Sequence, residues 1–202
     1  MELRWVRIIY KPFFLVYIML LWLWILIGLG ILLVAIAIYY FNKFVVLENR
    51  IKNSLAQIDV QLKKRADLVP SLVKVVKGYA KHESKIMEAV TKARSEMLKA
   101  GNISSKVKAG DQLQNALGRI FAIAENYPQL KANENFLHLQ QELSAIEDKV
   151  AYARQYYNDS ILSLENASQR FPGVIFFKLY GRQKKDYLKI PEANRNMPNI
   201  DL

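Results

Sequence analysis
The chain has 202 residues, a formal charge of +11 and no cysteine, which excludes disulfides and thiolate metal sites and leaves room for one domain outside an apolar N-terminus. Beyond residue 43 glycine and proline are sparse and Ala, Leu, Ile, Lys, Gln and Glu dominate, a composition that predicts an all-α fold because straight side chains lose little rotamer freedom in a helix. The basic balance suits nucleic acid or an anionic membrane surface, and the first predicted element favours the membrane.

From Phe13 to Phe41 no side chain is charged, a run of about 29 residues where roughly 20 cross a bilayer core. It predicts a transmembrane helix over 13–42, after a short basic flank over 1–12. Arg4, Arg7 and Lys11 on one side and Lys43 on the other mark the headgroup levels. Tyr39 and Tyr40 sit where amphipathic rings favour the interface. Ala35-Ile36-Ala37 has the small-x-small spacing of a signal-peptidase site, but a signal core usually has about 7–15 apolar residues, so the segment is read as a retained single-pass anchor in the cell membrane. The positive-inside count is close to a tie, and the basic residues that accumulate beyond the span favour a cytoplasmic bundle.

Apolar residues then recur at Leu47, Ile51, Leu55, Ile58, Leu62, Ala66, Val69, Val73, Val76, Ala80, Met87, Val90 and Met97. Spacings of three and four predict one long helix, continuous with the anchor and reaching Lys99. Pro70 lacks an amide donor and crowds the carbonyl of Ala66, so a kink or break is expected at 67–70, and Pro70 is nominated as a hinge. Ala100-Gly101-Asn102 ends this element, and Ser104 or Ser105 can cap the next.

A second helix is predicted from about Ser105 to Glu125 and a third from about Asn133 to Ser168. The third carries Leu139, Leu143, Ile146, Val150, Ala153, Tyr157, Ser160 or Ile161, Leu164 and Ser168 in an a/d-like register. Phe171-Pro172-Gly173 stops it. A short amphipathic piece near Val174–Tyr180 opens a basic, largely irregular tail over 173–202. Residues 43–172 thus read as an antiparallel up-and-down helical bundle with long helices.

Asp59, Arg65 and Asp67 border the apolar stripe of the first helix, and Glu147, Arg154 and Asn158 border that of the third. They are read as interhelical pairs that fix register, or else as a partner-binding network. Lys63, Lys64, Lys184 and Lys185 are candidates for anionic-lipid contact, with Phe176, Phe177 and Tyr180 near the tail's charges. His138 has Glu134 and Glu142 four residues to either side, but a carboxylate-bridged bundle needs Glu-x-x-His pairs and none occurs, so no metal site is assigned. With no cysteine, no Gly-x-Ser-x-Gly turn and no glycine-rich phosphate loop before a lysine, no catalytic residue, cofactor or small-molecule substrate is assigned either.

The run Asn49-Arg50-Ile51-Lys52-Asn53, then Gln57 to Arg65, Asp67-Leu68-Val69-Pro70 and Val76-Lys77-Gly78-Tyr79-Ala80, resembles the LemA protein family. The likeness continues through His82-Glu83, Ala93-Arg94, Tyr127-Pro128, Phe136, Glu147, Ala153-Arg154, Tyr157-Asn158 and Phe171-Pro172. It departs at Leu164-Glu165-Asn166, where the family usually has an aromatic-Asn pair. The resemblance implies a prokaryotic protein with one N-terminal membrane helix and an up-and-down bundle, without established enzymatic activity, in a family that includes a branch tied to bacterial organelle membranes. The expected role is a membrane-anchored, non-enzymatic scaffold that forms homo-oligomers and organises membrane or partner proteins. The alternative is an adaptor or sensor subunit passing a signal to a soluble protein partner, with Pro70 as its moving part. The bilayer and a second copy are the expected partners; nucleic acid is not.

Overall fold
The computed structural model describes the backbone of residues 3–188 and the side chains of residues 16–188. Six helices follow in order: α1 (Leu3–Tyr79), α2 (Ser84–Lys99), α3 (Ile103–Ala124), α4 (Pro128–Lys131), α5 (Glu134–Gln169) and α6 (Gly173–Leu179). There is no strand among the described residues. The chain divides into two compact units, one of α1 up to Val46 with Asn166–Gln183, the other of Leu47–Glu165 with the segment that starts at Lys184.

In the first unit the apolar stretch of α1 from Val16 onward is exposed on every side, and it is long and apolar enough to cross a membrane. A helix that is hydrophobic all round needs either a protein interior or a bilayer around it. Here no protein covers the most apolar window. The C-terminal end of that stretch meets α6 through aromatic rings. Tyr40 stacks on Phe176 at 5.5 Å, Phe44 meets Phe177 edge-on at 5.4 Å and Phe41 meets Tyr180 edge-on at 5.5 Å. The Tyr180 hydroxyl donates to the Ala37 carbonyl at 2.7 Å. Gly173 is required by close approach, since a Cβ there would overlap the Ala167 carbonyl oxygen and lie 2.9 Å from the Tyr40 ring.

In the second unit α1 does not continue to Lys99. It ends at Tyr79, and after Ala80–Glu83 the chain reverses into α2. The expected single spine is therefore two antiparallel helices. The physical reason is burial: folding back covers Met87, Val90 and Met97, which are all buried, whereas a straight continuation would leave that stripe in water. Gly78 weakens the helix just before the reversal.

The contacts define an up-and-down order. Arg94 of α2 reaches back to Ala66 of α1, Lys106 of α3 reaches Asp59, and Glu147 of α5 meets Arg65. At the reversal end, Tyr127 donates to Glu83 at 3.3 Å and Asn133 donates to the Tyr79 hydroxyl at 3.0 Å. So α1, α2, α3 and α5 alternate in direction. Asn102 caps α3 in a reciprocal box with Ser105, and the Asn133 side chain caps α5 through the amide of Phe136 at 3.0 Å. The core holds Ile58, Leu62, Leu72, Leu113, Leu117, Ile120, Phe136, Ile161 and Leu164, all fully buried.

Pro70 does not break α1, which is helical on both sides of it. The missing amide leaves the Ala66 carbonyl without its usual intrahelical donor. Arg94 supplies a substitute, its Nε donating to that oxygen at 2.7 Å. The helix therefore runs unbroken through 67–70, and the carbonyl freed by Pro70 serves a cross-link between α1 and α2.

This arrangement predicts coupling between positions 70 and 94. Arg94→Leu should destabilise the chain by about 1–3 kcal/mol, the usual cost of a buried acceptor left unpaired. The cost should shrink in a Pro70→Ala background, where an amide at position 70 serves Ala66. A double-mutant cycle by urea unfolding of the detergent-solubilised chain checks it, and additive effects would contradict the arrangement.

Candidate functional site
The polar residues between helices of the second unit form the candidate site. Arg65 lies on the inner face of α1 between Leu62 and Ala66 and is 1% exposed. Its guanidinium is ion-paired with Glu147 of α5. One heptad along α5, Arg154 pairs with Asp111 of α3 at 2.6 Å. Lys106, a turn and a half earlier on α3, pairs with Asp59 of α1 at 2.6 Å. These bridges join α1, α3 and α5 pairwise.

The Arg65 guanidinium lies within reach of the Arg154 charge. Burial pushes the Arg65 guanidinium below its ordinary value; Glu147 works against this, Arg154 lowers it further and Asp111 raises it. Two cations and two anions thus act as a linked set, with each cation facing its own anion. Both arginine Nε atoms are buried without a hydrogen-bond partner, so the set is held by its terminal guanidinium nitrogens. For the buried Arg65 the cost of leaving water offsets much of the Coulombic gain from Glu147.

The nominated polar residues do not form one cluster. Arg65 and Glu147 meet each other. Arg154 and Asp59 instead find Asp111 and Lys106, partners on α3. Asp67 pairs along its own helix with Lys63 at 2.5 Å, exposed to solvent, where such pairs contribute little. Asn158 turns to the tail: its amide nitrogen donates to the Leu188 carbonyl at 3.2 Å, and its oxygen accepts from the Leu188 amide at 3.0 Å. Pro70 lies on the exposed side of α1. The partners Asp111 and Lys106 carry no sequence signal beyond a charge next to an apolar stripe, and Arg94 only its place in the Ala93-Arg94 pair of the family likeness.

The tail segment 184–188 has no regular structure, yet it is tied to α5. Besides Asn158, the Tyr157 hydroxyl donates to the Asp186 carbonyl at 2.9 Å and the Tyr187 hydroxyl donates to Glu165 at 2.7 Å. Burial first, then the Asp186 charge, pushes the Tyr157 phenol above its ordinary value. The hydrogen bond to Glu165 is the main cause of the same shift at Tyr187.

Of the membrane-interface residues, Lys43 sits over both Tyr39 and Tyr40, 5.7 Å from each ring centre. Arg4, Arg7 and Lys11 lie outside the residues whose side chains are described. Lys64, Lys184 and Lys185 are exposed. Phe176, Phe177 and Tyr180 are turned towards α1. His138 is exposed with Glu134 and Glu142 on α5. It borders an open groove that Lys74, Tyr79 and Asn133 also line.

Glu147→Leu leaves the Arg65 charge buried without its partner and should cost about 3 kcal/mol, while the double change Arg65→Met with Glu147→Leu should recover most of that loss. Urea unfolding of the three chains reads both outcomes. The tyrosine contacts give a pH dependence. Because the Tyr157 value is raised on folding, its contribution is fully present below the ordinary value of about 10 and is lost as pH rises through the raised one. The melting-temperature gap between the parent and Tyr157→Phe should therefore be constant up to about pH 10 and close above it.

Residues 54–202 match the model of the LemA family. The chain is similar to magnetosome protein MamQ of Magnetospirillum gryphiswaldense, 24% identical over 73% of this chain and 64% of that one. It is also similar to magnetosome protein MamQ 2 of Paramagnetospirillum magneticum, 22% identical over 74% of this chain and 64% of the relative. Protein LemA of Metamycoplasma hominis is 27% identical over 60% of this chain and 59% of its own. In each case the likeness covers less than two thirds of the relative's length. With the family model covering well over half of its residues, the chain belongs to the LemA family.

Proposed function
We propose that this chain is a membrane-anchored, non-enzymatic helical scaffold that self-associates and organises membrane or partner proteins. The observation that carries the reading is that one helix, α1, supplies both an apolar span and a wall of a bundle whose interior charges are matched to one another. A bundle aligned in this way offers its outer helix faces as the surface for partners. Two relatives are named magnetosome proteins, which supports a role in a cellular structure for this chain too. The basic residues after the span, Lys43, Arg50, Lys52, Lys63 and Lys64, favour placing the bundle in the cytoplasm. A sensor working through a hinge at Pro70 has less support, because Arg94 occupies the carbonyl that a flexing proline would free.

The test is the size of the full detergent-solubilised chain over a wide concentration range, by light scattering coupled to chromatography. A concentration-dependent oligomer is the expected outcome. A strict monomer at every concentration would remove self-association from the proposal.

A further inference from the structure
The ring contacts of α6 show how it lies against α1. Gly173 and Phe176 both meet Tyr40, Phe177 meets Phe44, and Tyr180 meets Ala37 and Phe41. Advancing along α6 moves the contact back and forth over the same two turns of α1. Two helices running side by side would instead show steadily progressing partners. So α6 crosses α1.

The crossing lies at a defined depth. After Lys11 the next charged residue is Lys43, and at 1.5 Å per residue a core of about 30 Å uses roughly 20 of the residues between them. Ala37 to Phe44 is the end of that stretch, where Tyr39, Tyr40 and Lys43 form the rings and charge typical of a headgroup layer. A short helix crossing a span at this level lies roughly in the plane of the interface.

The face of α6 turned away from α1 carries large apolar side chains, with the exposed Lys178 beside them. Ile175 and Leu179, four residues apart, share one side of α6, and Phe171 stands in the turn that leads into the helix. Phe171, Ile175 and Leu179 are 81%, 54% and 72% exposed. Three large apolar side chains so exposed are costly in water. The attachment of α6 at the end of the exposed apolar span points to the occupant of this face.

We propose that α6 is an interfacial helix, with Phe171, Ile175 and Leu179 seated in the boundary between headgroups and acyl chains of the leaflet from which α1 emerges. Its other face, Phe176, Phe177 and Tyr180, fastens it to α1. An amphipathic helix in the interface plane behaves in this way, and this one is held at its depth by the Tyr180 bond to Ala37. The proposal rests on the anchor reading above and adds a second, lateral attachment to the same leaflet.

The chain contains no cysteine, so single cysteines can be introduced for spin labels. The full chain is reconstituted in phospholipid vesicles with labels at Ile175→Cys or Leu179→Cys, and with references at Leu26→Cys in the span and Glu142→Cys on exposed α5. Accessibility to oxygen, which partitions into lipid, is compared with that to a water-soluble nickel chelate. Sites 175 and 179 should favour oxygen over the chelate several-fold more than site 142 does, approaching site 26. Chelate access equal to that at site 142, with site 26 still lipid-like, overturns the interfacial helix alone. Exclusion of both reagents at 175 and 179 also overturns it, because protein, such as a second copy, then covers the face. Water-like behaviour at site 26 overturns the anchor and this proposal together.

Discussion

Between Arg65 and Pro70, α1 makes two attachments on which the second unit depends. The side chain of Arg65 crosses to Glu147 of α5, and the carbonyl of the next residue, freed by Pro70, accepts the Arg94 donor of α2. Both attachments involve groups that are costly to bury alone, a guanidinium in one case and a backbone oxygen in the other. Neither helix can slide by a turn without stranding one of them. Once α5 is set by Glu147, Arg154 falls opposite Asp111, and the α3 position so defined brings Lys106 to Asp59. These polar contacts tie α1, α2, α3 and α5 to one another across the apolar core.

The first unit obeys the same hydrophobic principle with a different solvent. In the bundle Leu and Ile are buried by other helices, whereas in the span Leu26, Ile31 and Leu33 stand exposed because no protein surrounds them. Where the two regimes meet, the chain uses aromatic residues, which can present an apolar face and a polar tip at once. Tyr40 shows the combination: it stacks on Phe176 with one face while Lys43 lies over its ring.

Much of the helix content could be read from periodicity and caps. The end of α3 and the start of α5 follow from Tyr127-Pro128 and Asn133, each with a local physical role, whereas α3 begins at Ile103 because Asn102, and not the expected Ser104 or Ser105, is its cap. The reversal after Tyr79 could not be read that way, because a helix that folds back onto itself keeps the same three-and-four spacing as one that runs straight. The donor that serves the carbonyl freed by Pro70 was illegible for a related reason, since it lies 28 positions away. The polar residues were recognisable as border positions. Their partners were not, since whether Arg154 faces Glu147's neighbours or Asp111 depends on which helix lies alongside. In the same way, Phe176 and Phe177 could be seen as apolar without showing that they face α1, leaving Phe171, Ile175 and Leu179 outside.

The capping box at Asn102 has a consequence for the order of assembly. It sits in a three-residue joint between α2 and α3, so those helices can pair after closing a very short loop, which costs little chain entropy. The Arg65–Glu147 pair instead closes a loop of 82 positions, and contacts of such separation form late. During synthesis, α1, α2 and α3 are complete before the charge that neutralises Arg65 has been made. Until α5 has been made, the Arg65 guanidinium has no Glu147 to pair with, so that bridge closes only once the first three helices of the bundle already exist in the chain.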